Sequence, residues 1–259
     1  MLFRFATLLT MGASALALAA PASAAVTFNL GGANATLTAG TALNKTVGGV
    51  TLSALGYSFA TTPAAFQTAA TGHSATSVLS GLTTQRIRRE ATGLGVCPTG
   101  EAANQCNQVD TDGTNEILRL ILPTAYSLRS ATFDRIDNND TLKLYGVTSG
   151  GIVEYLGFGG RFDGAGSGVG AATAFTGISG VQTGGSGEDQ VYKVTLDTKR
   201  YKEFWFTNQN DAADGYRLGS VTFSAAPEPG TWALSIVGLG LAGAALRRQR
   251  AQQLATVRS

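Results

Sequence analysis

Ten short runs of alternating or β-branched residues govern what this chain can fold into. They lie at 26–30, 50–54, 57–60, 117–122, 128–136, 141–147, 152–158, 191–196, 204–207 and 218–224, most bounded by Gly, Asn, Asp or Pro. Runs of that length with those punctuators read as strands. Leu142 and Leu144, then Val153 and Tyr155, give faces of period two, with Lys143 and Glu154 opposite. One buried face and one wet face fit an antiparallel sheet packed on one side. The expected fold is therefore all-β, an antiparallel β-sandwich or jelly roll. The sequence 147–152, with Gly150 and Gly151 inside it, predicts a tight hairpin, because Gly reaches positive φ at no steric cost. Helical periodicity is confined to one or two turns at 64–71. Eleven of the 34 Gly fall within 159–190, which predicts a long surface loop there. The stretch 33–49 shows no clear buried face.

Both ends of the chain read as addresses. Arg4 precedes an apolar stretch at 5–20 that is too short to span a bilayer. Small residues follow at Ala22 and Ala24, the positions a signal peptidase reads, so cleavage is expected between Ala24 and Ala25. At the other end Pro227-Glu228-Pro229 is followed by an apolar run at 233–246 and by Arg247, Arg248 and Arg250. An apolar segment of about 15 residues reaches only about 22 Å, short of a hydrocarbon core of about 30 Å. Its arginines favour retention on the cytoplasmic side, with the main body outside. The expected division is a signal peptide at 1–24, an ectodomain at 25–226, a sorting segment at 227–250 with a short hydrophobic helix, and a cytoplasmic tail at 251–259.

Pro227, Glu228, Pro229, the apolar run and the arginine cluster together resemble the PEP-CTERM family of bacterial sorting signals. The resemblance covers about 24 residues. It implies export by way of signal peptidase, transient anchoring in the inner membrane of a Gram-negative cell, and processing by an exosortase. Release to the cell surface, or to an exopolysaccharide matrix such as that of a biofilm, would follow. Gly93-Leu94-Gly95-Val96-Cys97, Gln108-Val109-Asp110 and Asn115-Glu116-Ile117-Leu118-Arg119-Leu120 also resemble a pattern that recurs in PEP-CTERM ectodomains, one that implies no activity.

Charge separates along these boundaries. The whole chain carries +2, but the stretch 25–226 holds 14 basic and 16 acidic residues, so the basic excess belongs to the two ends. No nucleic-acid surface is expected.

Chemistry is sparse. Cys97 and Cys106 are the only cysteines, and in an exported chain they are expected to form a disulfide that staples the loop between them. His73 is the single histidine, which excludes a multi-histidine metal site, and no Gly-x-Ser-x-Gly elbow accompanies it. It reads as a solvated loop residue. Acidic loops hold more promise: Asp110, Asp112, Asn115 and Glu116 before one strand, and Asp137, Asn139 and Asp140 between two others. Such loops offer the oxygen ligands that calcium takes, but Asx-rich turns need no metal at all, since Asn and Asp bond their own backbone. The spacing does not match an EF-hand. Phe204-Trp205-Phe206 alternates, which predicts Phe204 and Phe206 in the core and Trp205 on the opposite face, where, if exposed, it is a candidate to stack on a sugar ring. The expected function is that of a non-catalytic surface or matrix protein, with polysaccharide as a candidate ligand. The alternatives are a purely structural or adhesive protein and an exported polysaccharide hydrolase.

Overall fold

The computed structural model describes residues 25–101, 106–111, 114–136, 140–157, 179–185, 190–208, 215–225 and 229–256. Ala24, Asp112, Asp137, Asn139, Pro227 and Glu228 lie outside them, as do the expected leader at 1–24 and most of the glycine-rich stretch. Contacts divide the chain into one unit at 24–225 and another that contains the C-terminal helix.

The first unit is mostly β, as expected. Its strands are β1 (Ala25–Asn29), β2 (Ala35–Thr36), β3 (Leu43–Val47), β4 (Val50–Phe59), β5 (Thr83–Arg89), β6 (Leu94–Cys97) and β7 (Val109–Asp110). They continue as β8 (Asn115–Ile136), β9 (Lys143–Val147), β10 (Val153–Gly157), β11 (Ser179–Gly184), β12 (Gln190–Thr195), β13 (Arg200–Thr207) and β14 (Gly215–Ser224). Two helices, α1 (Pro63–Ala70) and α2 (Ala75–Ser80), bridge β4 and β5.

The two sequence runs at 117–122 and 128–136 are one strand. At about 3.4 Å per residue its 22 residues would reach about 75 Å if straight, far more than a domain of this size can hold. It turns a corner instead. Tyr126 pairs with Tyr201 of β13 and Ile121 with Glu203, so four residues of β8 around Pro123 span a single residue of β13. Pro has no N–H to give to a ladder, which makes it the natural residue at such a break. Before the corner β8 lies between β4 and β13; after it, between β14 and β12. β14 meets β6, β6 pairs with β5, and β5 pairs with β4, so the pairings close into a barrel-like ring through β8. A strand that serves two sheets is how orthogonally packed β layers make their corners.

Leu52, Ala54, Ile87, Leu94, Val96, Leu118, Leu120, Phe133, Phe204, Phe206, Leu218 and Val221 fill the interior. A second apolar cluster, with Tyr57, Phe59, Ile117, Tyr145, Val147, Val153 and Trp205, occupies the other face of the first sheet beneath Phe66 and Ala70 of α1 and Ala75 of α2. The helices therefore cover the face that alternation had assigned to water. Lys143 is buried there, its Nζ donating to the Pro63 carbonyl at 3.2 Å. The helix at 64–71 is present with Thr62 as its N-cap, accepting from the Ala65 N–H, and Pro63 in the first turn, where its missing N–H costs nothing.

Two further stretches depart from the sequence expectations, and one hairpin follows them. The stretch 33–49 holds β2 and β3, and β3 joins β4 through Gly48 and Gly49, both at positive φ, the two-residue hairpin loop such strands favour. β9 and β10 form the predicted hairpin, with Gly151 at φ 80°. Part of the expected glycine-rich loop is instead strand β11, paired with β12.

In the second unit, α3 (Pro229–Thr256) begins on the last proline of the Pro-Glu-Pro triplet and continues through the arginine cluster. It is longer than the expected apolar segment. Ile236, Val237, Leu239, Leu241 and Leu246 are exposed along it, and among the described residues no helix is long and apolar enough to cross a membrane.

Candidate metal centre

The acidic residues singled out from the sequence part company in the structure. Glu116 keeps the period-two register of Leu118 and Leu120, so its side chain enters the ring interior at the end of that apolar row, where it is fully buried. Asn115 alternates away from it and donates from Nδ2 to the Thr61 carbonyl at 2.8 Å. Asp140 Oδ1 accepts from the Gly215 N–H at 2.8 Å, at the head of β14. Asp110 is buried on β7, which is held in place by pairing with Gly215 and Tyr216.

Glu101 completes a cluster that the sequence reading missed. One carboxylate oxygen from each of Glu101, Asp110 and Glu116 lies within 4.8 Å of the other two. Glu101 sits in the Cys97–Cys106 loop, and that disulfide is formed. Arg86 fixes the start of the loop, donating to the Cys97 carbonyl at 3.2 Å and the Pro98 carbonyl at 3.0 Å. The far side is fixed by Val96, whose N–H donates to the Gln108 carbonyl at 2.8 Å, and by Arg217 Nε, which donates to the Asn107 carbonyl at 3.1 Å. Gly95 permits this contact: a Cβ there would stand 2.1 Å from the Asn107 carbonyl carbon. The glycine in the Gly-Val-Cys pattern is thus a close-approach residue.

Within the cluster, Glu116 Oε2 accepts the Asp110 N–H at 3.0 Å, while Oε1 is buried with no hydrogen-bond partner. Burial pushes the Glu116 carboxyl well above the usual range; the charges of Asp110 and Glu101 push the same way, and the Asp110 N–H opposes them. Of the expected calcium ligands, Asp110 and Glu116 therefore converge, Asn115 and Asp140 are engaged elsewhere, and Asp112, Asp137 and Asn139 lie outside the described residues.

Trp205 corrects a second expectation. Its neighbours Phe204 and Phe206 do enter the core, and Trp205 does face the other way, but there it is 0% exposed beneath α1 and α2. Its Nε1–H donates to Glu203 Oε2 at 3.0 Å. No face of the indole is open to a sugar. Glu203 also accepts from Arg119 at 2.8 and 2.7 Å, and Arg119 reaches the Tyr57 hydroxyl at 3.2 Å. His73 lies exposed in the turn between α1 and α2, its Nδ1 3.1 Å from the Thr71 carbonyl oxygen, as a solvated loop histidine would.

No curated protein and no solved structure matches the chain. Residues 225–250 match the model of the PEP-CTERM protein-sorting motif, beginning where the β unit ends at Ala225. The chain thus carries a C-terminal PEP-CTERM sorting motif, which marks it as an exported, surface-targeted protein of the kind an exosortase processes.

Proposed function

We propose that the β unit works outside the cell as a non-catalytic structural or adhesive element of the surface or the exopolysaccharide matrix. The observation that carries this reading is the join at Ala225: a closed, disulfide-stapled β unit ends there and the sorting motif begins. A leader at 1–24, cut by signal peptidase between Ala24 and Ala25, accounts for entry to the export route. The exposed Ile236, Val237, Leu239 and Leu241 of α3 support a passing association with the inner membrane before exosortase acts. Direct polysaccharide contact loses its aromatic platform with the burial of Trp205, which favours a scaffold over a sugar reader.

Mass spectrometry of the form recovered outside the cell tests the proposal. The expected mass lacks Leu239 and everything after it. A surface form that still carries Arg247 contradicts exosortase processing. Binding to purified exopolysaccharide on a glycan array would restore the sugar-reading alternative, with contacts other than Trp205.

A further inference from the structure

We propose that Glu101, Asp110 and Glu116 form a Ca²⁺ site that ties the disulfide loop to the mouth of the β ring. Two observations of different kinds meet here. Three carboxylates from the Cys97–Cys106 loop, β7 and β8 bring oxygens within 4.8 Å of one another, and Glu116 Oε1 is fully buried with no hydrogen-bond partner. Buried like charges repel, and a buried polar atom left unsatisfied costs free energy. A divalent cation bound among the three answers both.

The donor chemistry selects the cation. Every candidate ligand is a carboxylate. Both cysteines are spent in the disulfide, and the one histidine is exposed in the α1–α2 turn. Zinc sites draw on Cys and His, so a hard oxygen-seeking ion is favoured. Three carboxylates supply three to six oxygens according to whether they bind through one or both atoms, and Ca²⁺ accepts six to eight in a flexible arrangement, with water or carbonyl oxygens making up the number. Mg²⁺ demands near-ideal octahedral geometry, which ligands on a loop and two separate strands are poorly placed to give.

The site also has a structural consequence. Glu101 is the only member on the loop, so the ion adds a tether to a segment already held by the disulfide and by Arg86 at its start. This inference rests on the extracellular reading, because the affinity expected of extracellular calcium modules, a Kd of about 10⁻⁴–10⁻³ M, suits a site filled after export.

The test uses the purified exported protein, stripped with chelator and titrated with CaCl₂ by calorimetry and thermal melting. One Ca²⁺ per chain is expected, with Tm raised by about 3–6 °C at ten times Kd. Glu116→Gln and Glu101→Gln should each weaken binding at least tenfold. Glu101→Gln serves if Glu116→Gln fails to fold, since Glu101 is only half-buried. No heat and no change in Tm at ~10 mM Ca²⁺, ten times the weakest Kd of that class, would overturn the proposal. So would equal stabilisation by Mg²⁺, or a calcium response undiminished in Glu101→Gln. Binding is read on isolated protein and processing on the mass of the recovered form, so the two readings fail separately.

Discussion

Replacing Glu203 by Ala should destabilise this domain by breaking a largely buried ion pair from one side. Glu203 lies on β13 directly beside Trp205, and its two oxygens accept three hydrogen bonds: two from Arg119, at 2.8 and 2.7 Å, and one from the Trp205 indole at 3.0 Å. The side chains of Arg119 and Glu203 are only 15% and 14% exposed. Removing the carboxylate leaves a guanidinium without its counter-charge and an indole N–H without an acceptor. Breaking a buried pair from one side costs about 3–5 kcal/mol, and the residual exposure here places the expected loss at the lower end, about 3–4 kcal/mol. For a domain of about 200 residues that corresponds to a fall in Tm of about 6–16 °C. Trp205 is the sole tryptophan of the β unit, since the other is Trp232, so its fluorescence follows the site during urea denaturation. The double variant Arg119→Met, Glu203→Leu removes both charges and should recover much of the loss, because a buried pair contributes little net stability over apolar residues of similar volume. A loss below ~1 kcal/mol for Glu203→Ala, or strictly additive single and double variants, refutes the assignment of Glu203 as the acceptor that holds this face together.

Two further outcomes are expected. Gly95→Ala places a Cβ 2.1 Å from the Asn107 carbonyl carbon and 2.3 Å from the Gln108 nitrogen, so backbone must move. A loss of at least ~2 kcal/mol is expected in denaturant titration, against a change within about 0.5 kcal/mol for Gly150→Ala, whose Cβ would meet only Thr148 Oγ1 at 3.7 Å. An unchanged midpoint for Gly95→Ala would refute the close-approach reading. The alkaline limb of stability should fall to tyrosines. Burial raises the Tyr145 hydroxyl above its ordinary value, with the nearby Tyr155 adding to the shift, and burial together with the hydrogen bond to Glu154 raises Tyr201. A phenol whose folded pKa is raised keeps its stabilising share below the unfolded pKa of about 10 and loses it as pH climbs towards the folded value. Melting temperature should therefore drop steadily above about pH 10. Tyr201→Phe should flatten that drop, and tyrosinate absorbance that rises without any loss of Tm would contradict it.

Much of the fold was legible because alternation is a local signal. Phe204 and Phe206 entered the core and the hairpin at 147–152 formed. What escaped was either longer in range or misread. Pro123 looked like a strand end and is a corner, because only the partner strands show that β8 continues past it. Gly48-Gly49 was a readable hairpin loop, but the weakly amphipathic run before it hid strand β3. Trp205 and Lys143 were assigned to water by a rule that holds for a sheet with one bare face, and a short helical crossover removed that bare face. In the candidate site, Glu116 carried a signal in its register with Leu118 and Leu120. Glu101 carried none: a loop residue is brought to β7 and β8 only by the disulfide and the backbone contacts on either side of it.

The ring of pairings also has a consequence for the order of events during export. β14 is the last strand before the sorting motif, and it alone joins β1, β6, β7 and the second half of β8. Until residues 215–224 are available the barrel has an open seam and its most distant partners, at the two ends of the unit, have nothing to pair with. Pairings so far apart in sequence form late and slowly. Under the export route proposed above, led by the N-terminus, the unit would stay without its closing strand until residues 215–224, next to the sorting motif, had crossed.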